Sequence, residues 1–231
     1  MAGRLVLVAT PIGNLGDLSP RAREELAAAE AWLVEDSRVS GRLRAVVGAS
    51  PPMKVLNDHT GPAKVQEYCG ELADGARWAL VTDAGTPVVS DPGATLVDQC
   101  IEAGVEVTTT PGPSAVMAAL CLSGFYAQRF AFLGYLPRKP GPCQEVLAPF
   151  ADSALTLIAF ESPYRLEPLL DTMFRALGSR RVAVCRELTK MHEQVWRGQL
   201  GTVPGESEVP RKGEFTVVVE GRRLTNREGE V

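Results

Sequence analysis

Three strand-to-helix loops in the first half of the chain combine small hydroxyl residues with glycine and proline. They are ATPIGN at 9–14, the segment from Thr82 to Gly93, and TTTPGPSA at 108–115. Glycine lets a ligand approach the backbone closely, proline fixes a loop, and serine and threonine add short hydrogen-bonding groups. Because ligands of open α/β sheets bind beyond the carboxyl ends of the strands, the three loops together favour a ligand site over ordinary turns.

Three clusters of acidic and basic residues also follow predicted strands. They are Glu35 to Arg38, Phe160 to Arg165, and Arg186 to Glu193. A solvated turn with a surface ion pair, worth about 0–1 kcal/mol, would explain any one of them. Their common position at strand ends favours a single cleft.

Common catalytic motifs do not occur. The sequence has no GxGxxG after the first strand, no GxxxxGK[ST], no GxSxG and no HExxH. A dinucleotide-dependent oxidoreductase, a P-loop NTPase, a serine hydrolase and a zinc protease are therefore disfavoured.

Composition limits the remaining classes. The 231 residues are 45% hydrophobic and 23% charged, a composition that excludes a disordered chain. Because the net charge is −4, nucleic acid could be bound only by a local basic patch. The five cysteines are widely spaced and there are two histidines, so we expect no disulfide framework, no bound metal and a cytoplasmic location. No apolar stretch reaches the length of a membrane span, and we expect no membrane partner.

Short apolar runs alternate with helical stretches, which predicts an α/β fold with mostly parallel sheets. Ser19-Pro20, Asp91-Pro92 and Ser162-Pro163 resemble helix starts, whereas PRKPGP at 137–142 resembles a loop. The pattern restarts after Gly124, so we expect subdomains at 1–120 and 121–221 and a disordered tail at 222–231. The predicted strands are 4–9, 31–35, 53–56, 77–82, 105–110, 130–136, 154–160, 181–185, 193–198 and 214–220.

A family resemblance is carried by motifs that occur in this order: ATPIGNLGD, EDSR, VTDAGTPVVSDPG, PGPSA, FLGYLP, FESPYRL, RELTKMHE, RGQL and KGEF. The chain resembles the RsmI-type 16S ribosomal RNA (cytidine-2′-O)-methyltransferases of the tetrapyrrole methylase fold group, from about residue 5 to residue 221. The resemblance implies two α/β subdomains with S-adenosylmethionine in the cleft between them, a homodimer, and methyl transfer to a ribose 2′-OH in the small ribosomal subunit. It implies cofactor contacts from Pro11, Asp83, Ala84, Gly85, Thr86, Pro87, Val89, Ser114, Ala115, Phe160 and Arg186.

Methyl transfer from a sulfonium needs in-line positioning and a group that accepts the proton. Candidate catalytic residues are Asp36, Glu161, Lys190 and Glu193, and the sequence does not decide which of them is the base. Candidate RNA contacts are Arg38, Arg42, Arg138, Lys139 and Arg165.

Two alternatives stay open. One is a corrinoid or porphyrin methylase of the same fold, against which the SDPG and ELTKMHE segments argue. The other is a module that binds S-adenosylmethionine without turnover, which the unusual segments at 57–60 and 140–143 leave possible.

Overall fold

A parallel sheet forms the centre of the first of two units, which ends at Ser114. In the computed structural model, which describes residues 3–223, its strands lie in the order β3-β2-β4-β1-β5, and every neighbouring pair is parallel. The strands are β1 (Arg4–Val8), β2 (Ala31–Val34), β3 (Met53–Val55), β4 (Arg77–Val81) and β5 (Glu106–Thr110). The apolar residues of β1, β2 and β4 are largely buried, as expected where helices cover both faces, whereas β3 and β5 are more exposed.

The helices of this unit pack on both faces of the sheet. Leu5, Leu33 and Leu80 face one core cluster and Val6, Val8 and Trp32 face another, because successive side chains of a strand point to opposite faces. The helices are α1 (Pro20–Ala28), α2 (Ser37–Val47), α3 (Pro62–Ala73) and α4 (Ala94–Glu102).

Helix starts in the first unit follow the prediction at one position and depart from it at another. Ser19 caps α1, where its hydroxyl accepts a hydrogen bond from the Ala22 N–H at 3.1 Å. The predicted start of α4 at Asp91-Pro92 is wrong, because the N-cap is Gly93 with φ +122°. The Asp91 carboxylate instead accepts a hydrogen bond from the Thr82 hydroxyl at 2.8 Å.

The second unit, which begins at Ala115, contains a mixed sheet with the order β6-β7-β10-β8-β9. Only the β6–β7 pair is parallel, and the other three pairs are antiparallel. The α/β class is confirmed, but the expectation of a mostly parallel second sheet is wrong. The strands are β6 (Phe130–Tyr135), β7 (Thr156–Glu161), β8 (Arg181–Arg186), β9 (Gln194–Gln199) and β10 (Phe215–Val219).

The described part of the second unit contains three α-helices: α5 (Ala115–Ser123), α6 (Pro140–Leu147) and α7 (Leu166–Leu177). The predicted domain boundary after residue 120 would cut α5, whose residues pack on β8 and β10, so the structure places the division at Ser114. The loop predicted at 137–142 is helical in its second half, because α6 begins at Pro140. Ser162 makes no side-chain capping bond, and a short 3-10 turn at Pro163–Arg165 precedes α7.

Two expectations concern the ends and the membrane. Of the tail predicted at 222–231, residues 224–231 lie outside the described residues. No helix within residues 3–223 combines the length and the apolar character that crossing a membrane requires.

Candidate functional site

The carboxyl end of the first sheet brings two of the predicted loops together. Thr10, just after β1, exchanges two backbone hydrogen bonds with Gly85: the Thr10 N–H donates to the Gly85 carbonyl at 2.8 Å and the Gly85 N–H to the Thr10 carbonyl at 3.1 Å. The Thr10 hydroxyl also donates to the Thr82 carbonyl at 3.3 Å. Pro11 and the segment 82–87 are therefore held side by side.

The third loop joins the same edge. The Thr86 hydroxyl donates to the Pro113 carbonyl at 3.2 Å. A Cβ at Gly112 would lie 3.0 Å from the Ala9 Cβ, so glycine allows the two loops to approach. The structure thus places Pro11, the loop that contains Asp83, Ala84, Gly85, Thr86, Pro87 and Val89, and the segment up to Ser114 at one edge of the first sheet. The remaining predicted cofactor residue of these loops, Ala115, is the first residue of the second unit.

The loop after β4 has an unusual backbone. Gly85 has φ +88°, and two non-glycine residues, Val88 and Ser90, have φ +73° and +61°. Left-handed conformations cost a residue with a Cβ about 1–2 kcal/mol, and such strain concentrates at functional sites. The exposed Val89 lies between the two strained residues.

Carboxylates gather at this edge. Burial raises the pKa of Glu35, and the neighbouring carboxylates of Asp83, Asp91, Asp58 and Asp36 add to that rise. The pKa values of Asp83 and Asp91 are raised as well, again chiefly by burial. A cationic ligand would relieve the repulsion within this group.

Asp36 differs from its neighbours because it caps α2. Hydrogen bonds from the side chain and backbone N–H of Arg38 lower the pKa of Asp36 to about 2. A carboxylate with so low a pKa is a weak base, so this geometry argues against the predicted role of Asp36 as proton acceptor. Arg38 is exposed and its guanidinium pairs with Asp36.

Thr110 ends β5 at the same edge. It is 2% exposed, and its hydroxyl has no hydrogen-bond partner among residues 3–223. An unsatisfied buried hydroxyl is costly, which is consistent with a ligand group that completes it. Thr110 lies in the third predicted loop but was not among the predicted site residues.

In the second unit, Glu161 ends β7 and is 3% exposed. Its Oε1 accepts a hydrogen bond from the Ser162 N–H at 2.7 Å. Its Oε2 lies 3.2 Å from Arg165 Nη2, so the two side chains form an ion pair, but the angles do not allow a hydrogen bond. Burial raises the pKa of Glu161, against the opposite effects of the Ser162 N–H, Arg165 and Arg138. Three predicted residues, Glu161, Arg165 and Arg138, thus meet at one place.

Phe160 lies in an aromatic cluster beside Glu161. Its ring centroid is 4.9 Å from that of Phe132 and 5.6 Å from that of Tyr135, which is 65% exposed. Tyr135 was not among the predicted site residues, because the run FLGYL indicates only a strand.

The loop that begins at Arg186, the last residue of β8, and runs to residue 193 is also strained. Glu187 and Thr189 have φ +50° and +64°. Lys190 Nζ donates to Glu187 Oε1 and Glu214 Oε2, both at 2.9 Å. Burial acts to lower the pKa of Lys190, but these two bonds raise it, so the ammonium is a stable cation.

The two other predicted residues of this loop hold its backbone. Arg186 is buried, and its guanidinium donates to the carbonyls of Lys212 at 2.7 Å and His192 at 3.2 Å. The Glu193 carboxylate accepts from the Thr189 N–H at 2.7 Å. Both side chains position the loop, which makes Arg186 and Glu193 weaker candidates for direct contact with a ligand.

Two of the predicted RNA contacts form no side-chain ion pair within residues 3–223. Arg42 lies exposed on α2, and the exposed Lys139 is the N-cap of α6. Within the described residues, no group of three His, Cys, Asp or Glu side chains is placed to hold a metal ion.

Comparison with known proteins decides the family. The sequence profile of the tetrapyrrole (corrin/porphyrin) methylases matches residues 4–204. The chain belongs to this family. Membership confirms the family and fold class predicted from the motifs, together with a methyltransferase activity that uses S-adenosylmethionine.

Several relatives are similar over nearly the whole chain. Proteins named ribosomal RNA small subunit methyltransferase I are 44% identical in Synechocystis sp., covering 97% of this chain and 81% of the relative, and 43% identical in Mycobacterium tuberculosis, covering 95% and 78%. Solved structures of the same fold include uroporphyrin-III-C-methyltransferase from Thermus thermophilus, with a TM-score of 0.64, 20% identity and 94% of each chain covered. The methyltransferase CobJ has a TM-score of 0.67 and 16% identity, covering 96% of this chain and 97% of CobJ.

Proposed function

We propose that this methylase transfers the methyl group of S-adenosylmethionine to the ribose 2′-OH of a cytidine in 16S ribosomal RNA. The observation that carries the proposal is the similarity, at 38–44% identity and nearly full length, to relatives named ribosomal RNA small subunit methyltransferase I. The cytidine and the 2′-OH come from the family resemblance of the sequence motifs.

The first unit offers groups that suit S-adenosylmethionine. This cofactor carries a sulfonium and an ammonium, and the carboxylates around Glu35 and Asp83 would attract positive charge. The buried Thr110 hydroxyl needs a partner, and Gly85 has no side chain that would keep a ligand away from the backbone of its loop. Residues from Pro11, the 83–89 loop and Ser114–Ala115 would hold the cofactor, and when bound it supplies an activated methyl group. Phe160 and Arg186 of the second unit remain predicted contacts.

Glu161 is the best-suited proton acceptor among the four predicted catalytic residues. Its burial raises its pKa, which makes it a stronger base than an ordinary carboxylate, and its Oε2 accepts no hydrogen bond from a residue in the range 3–223. Lys190 is paired with two carboxylates and stays cationic, so it fits a role beside a phosphate or the developing alkoxide.

Basic residues near Glu161 would bind the RNA backbone. Arg138 and Arg165 act on the Glu161 carboxylate, and Lys139 follows Arg138 in the chain. Arg38 and Arg42 lie four residues apart on α2 and would add a second patch. The chain as a whole carries a net charge of −4, so contact with RNA depends on such local patches and weakens as salt rises.

The assembled small subunit, a homodimeric state and a cytoplasmic location complete the proposal. Support for the homodimer comes from α5, which consists of apolar residues and one serine and exposes Met117 and Leu122. Light scattering of the purified protein tests the homodimer directly.

The decisive assay is transfer of a radiolabelled methyl group from S-adenosylmethionine to small ribosomal subunits that lack the modification. The expected product is labelled RNA in which the bond after the modified cytidine resists alkaline hydrolysis, because a methylated 2′-oxygen cannot attack the adjacent phosphate. Free 16S RNA and a tetrapyrrole serve as parallel acceptors.

The Glu161→Gln variant is compared with the wild type in the same assay, because the substitution keeps the shape of the side chain and removes its basicity. It should bind the cofactor and fail to label the RNA. Labelling of the tetrapyrrole alone would contradict the proposal in favour of a corrinoid or porphyrin methylase. Cofactor binding without any transfer would indicate a module that has lost turnover.

A further inference from the structure

A cavity of about 580 Å³ opens in the second unit where β8, β10 and the end of α7 meet. It is lined by four guanidinium groups, from Arg180, Arg181, Arg222 and Arg223, but by only two carboxylates, from Asp152 and Glu220. This surplus of positive charge contrasts with the net charge of −4 of the whole chain. None of these residues belongs to the candidate methyl-transfer site.

The two carboxylates are already engaged. Glu220 accepts from Arg181 Nε at 2.7 Å and from Arg223 Nε at 3.2 Å, so one carboxylate serves two guanidinium groups. Asp152 pairs with Arg222, and both side chains of this pair are more than half exposed. An exposed pair of this kind is weak and exchanges readily for another partner.

Arg180 has no carboxylate partner among the described residues, although it is 8% exposed. Its Nε donates to the Leu177 carbonyl at 3.2 Å and its Nη2 to the carbonyls of Phe150 and Ala151, whereas its Nη1 has no partner within residues 3–223. Burial lowers the pKa of Arg180, and the nearby Arg222 acts in the same direction, whereas Asp152 acts against them. A buried cation whose hydrogen bonds all go to carbonyl groups is costly, and an anion in the cavity would reduce that cost.

We propose that this cavity binds a phosphate-type oxyanion, with Arg180 as the buried cation and Arg222 as the group at the mouth that exchanges Asp152 for the ligand. Guanidinium groups suit this chemistry because their N–H donors match the spacing of phosphate oxygens. The oxyanion could be a free phosphate group or a phosphate of an RNA backbone, and the two sources are separated by experiment.

The test is calorimetric titration of the full-length protein at low salt, with inorganic phosphate in one arm and a short oligoribonucleotide without terminal phosphates in the other. Arg222→Ala is the test variant, since its exposed position makes it compatible with folding. Arg175→Ala is the matched control, because Arg175 is also exposed, also pairs with an aspartate, Asp171, and does not line the cavity.

Arg222→Ala should weaken binding about tenfold, or about 1.4 kcal/mol, relative to Arg175→Ala. A loss in the phosphate arm assigns the site to free phosphate groups, and a loss in the RNA arm alone assigns it to backbone phosphates. The proposal is overturned if Arg222→Ala binds both inorganic phosphate and the oligoribonucleotide with the same affinity as the control Arg175→Ala. The readout is binding, so it stands or fails independently of methyl transfer.

Discussion

Replacing Gly85 with alanine tests whether the strand-end loops of the first unit form one cofactor site. Gly85 has φ +88° and exchanges two backbone hydrogen bonds with Thr10. An alanine Cβ would lie 3.4 Å from Ile12 Cγ2, which is an ordinary contact, so the expected cost is conformational. A residue with a Cβ loses about 1–2 kcal/mol in this region of the Ramachandran plot. We expect the loop to relieve that strain by moving away from Thr10.

Gly104→Ala is the matched control for this experiment. Gly104 has φ +72°, lies in the turn between α4 and β5, and has no atom within 4 Å of the position of an added Cβ. Both variants should therefore lose about 1–2 kcal/mol in the free energy of unfolding. Only Gly85→Ala changes the predicted cofactor loop.

Calorimetric titration with S-adenosylhomocysteine separates the two effects. Gly85→Ala should bind about tenfold more weakly than the wild type, while Gly104→Ala should bind with unchanged affinity. Thermal unfolding of both variants checks that they are folded at the temperature of the titration. Equal affinities in the two variants would refute the assignment of the loop after β4 to the cofactor.

Three further predictions address catalysis, electrostatics and RNA binding. Glu161→Gln should lower the methyl-transfer rate about 10²–10⁴-fold with unchanged cofactor affinity. The wild-type rate should rise with pH through the raised pKa of Glu161, and initial rates of the variant should show no such rise. Glu35→Gln should stabilise the protein at pH 7 by less than about 1 kcal/mol. Because the folded state raises the pKa of Glu35, the free energy of unfolding falls as the pH rises from the ordinary value of 4.5 through the raised one. The denaturation curves of the variant and the wild type should therefore coincide below pH 4.5. Arg138→Ala should weaken RNA binding and reduce the slope of log affinity against log salt by about 1, and an unchanged slope would exclude a phosphate contact.

The first unit could be predicted well because its strands and loops follow simple rules. The apolar runs of β1, β2 and β4 are typical of strands buried on both faces, and helices between them require parallel pairing. Parallel strands place their carboxyl ends at one edge, so the loops at Pro11, Thr82–Gly93 and Pro111–Ser114 had to meet there. The bond between Thr86 and Pro113 shows that they do.

The second sheet was predicted less well because an apolar run does not reveal strand direction. The segment between β8 and β9, residues 187–193, is too short for a crossover helix, and it allows only an antiparallel return. The helix α6 was missed because Pro140, Gly141 and Pro142 are typical of a turn, although proline is tolerated in the first turn of a helix. Burial of Cys143 and Leu147 in the core of the unit stabilises this helix.

Individual site residues could be predicted only where acidic and basic side chains cluster after a predicted strand. Glu161 and Lys190 stand out in the sequence for that reason. Tyr135 and Thr110 do not, because a tyrosine and a threonine are both ordinary strand residues. The capping role of Asp36 and the loop-holding roles of Arg186 and Glu193 depend on contacts that sequence spacing does not determine.

The central claim is that the strand-end loops of the first unit hold the methyl donor. A crystal structure of the protein grown with saturating S-adenosylhomocysteine tests it most directly. We expect this molecule to contact the backbone near Pro11, the loop 83–89 and Ser114. Its partners should include the Thr110 hydroxyl or the carboxylate of Glu35, Asp83 or Asp91. Electron density for S-adenosylhomocysteine elsewhere on the protein, away from these loops, would show that they do not hold the methyl donor.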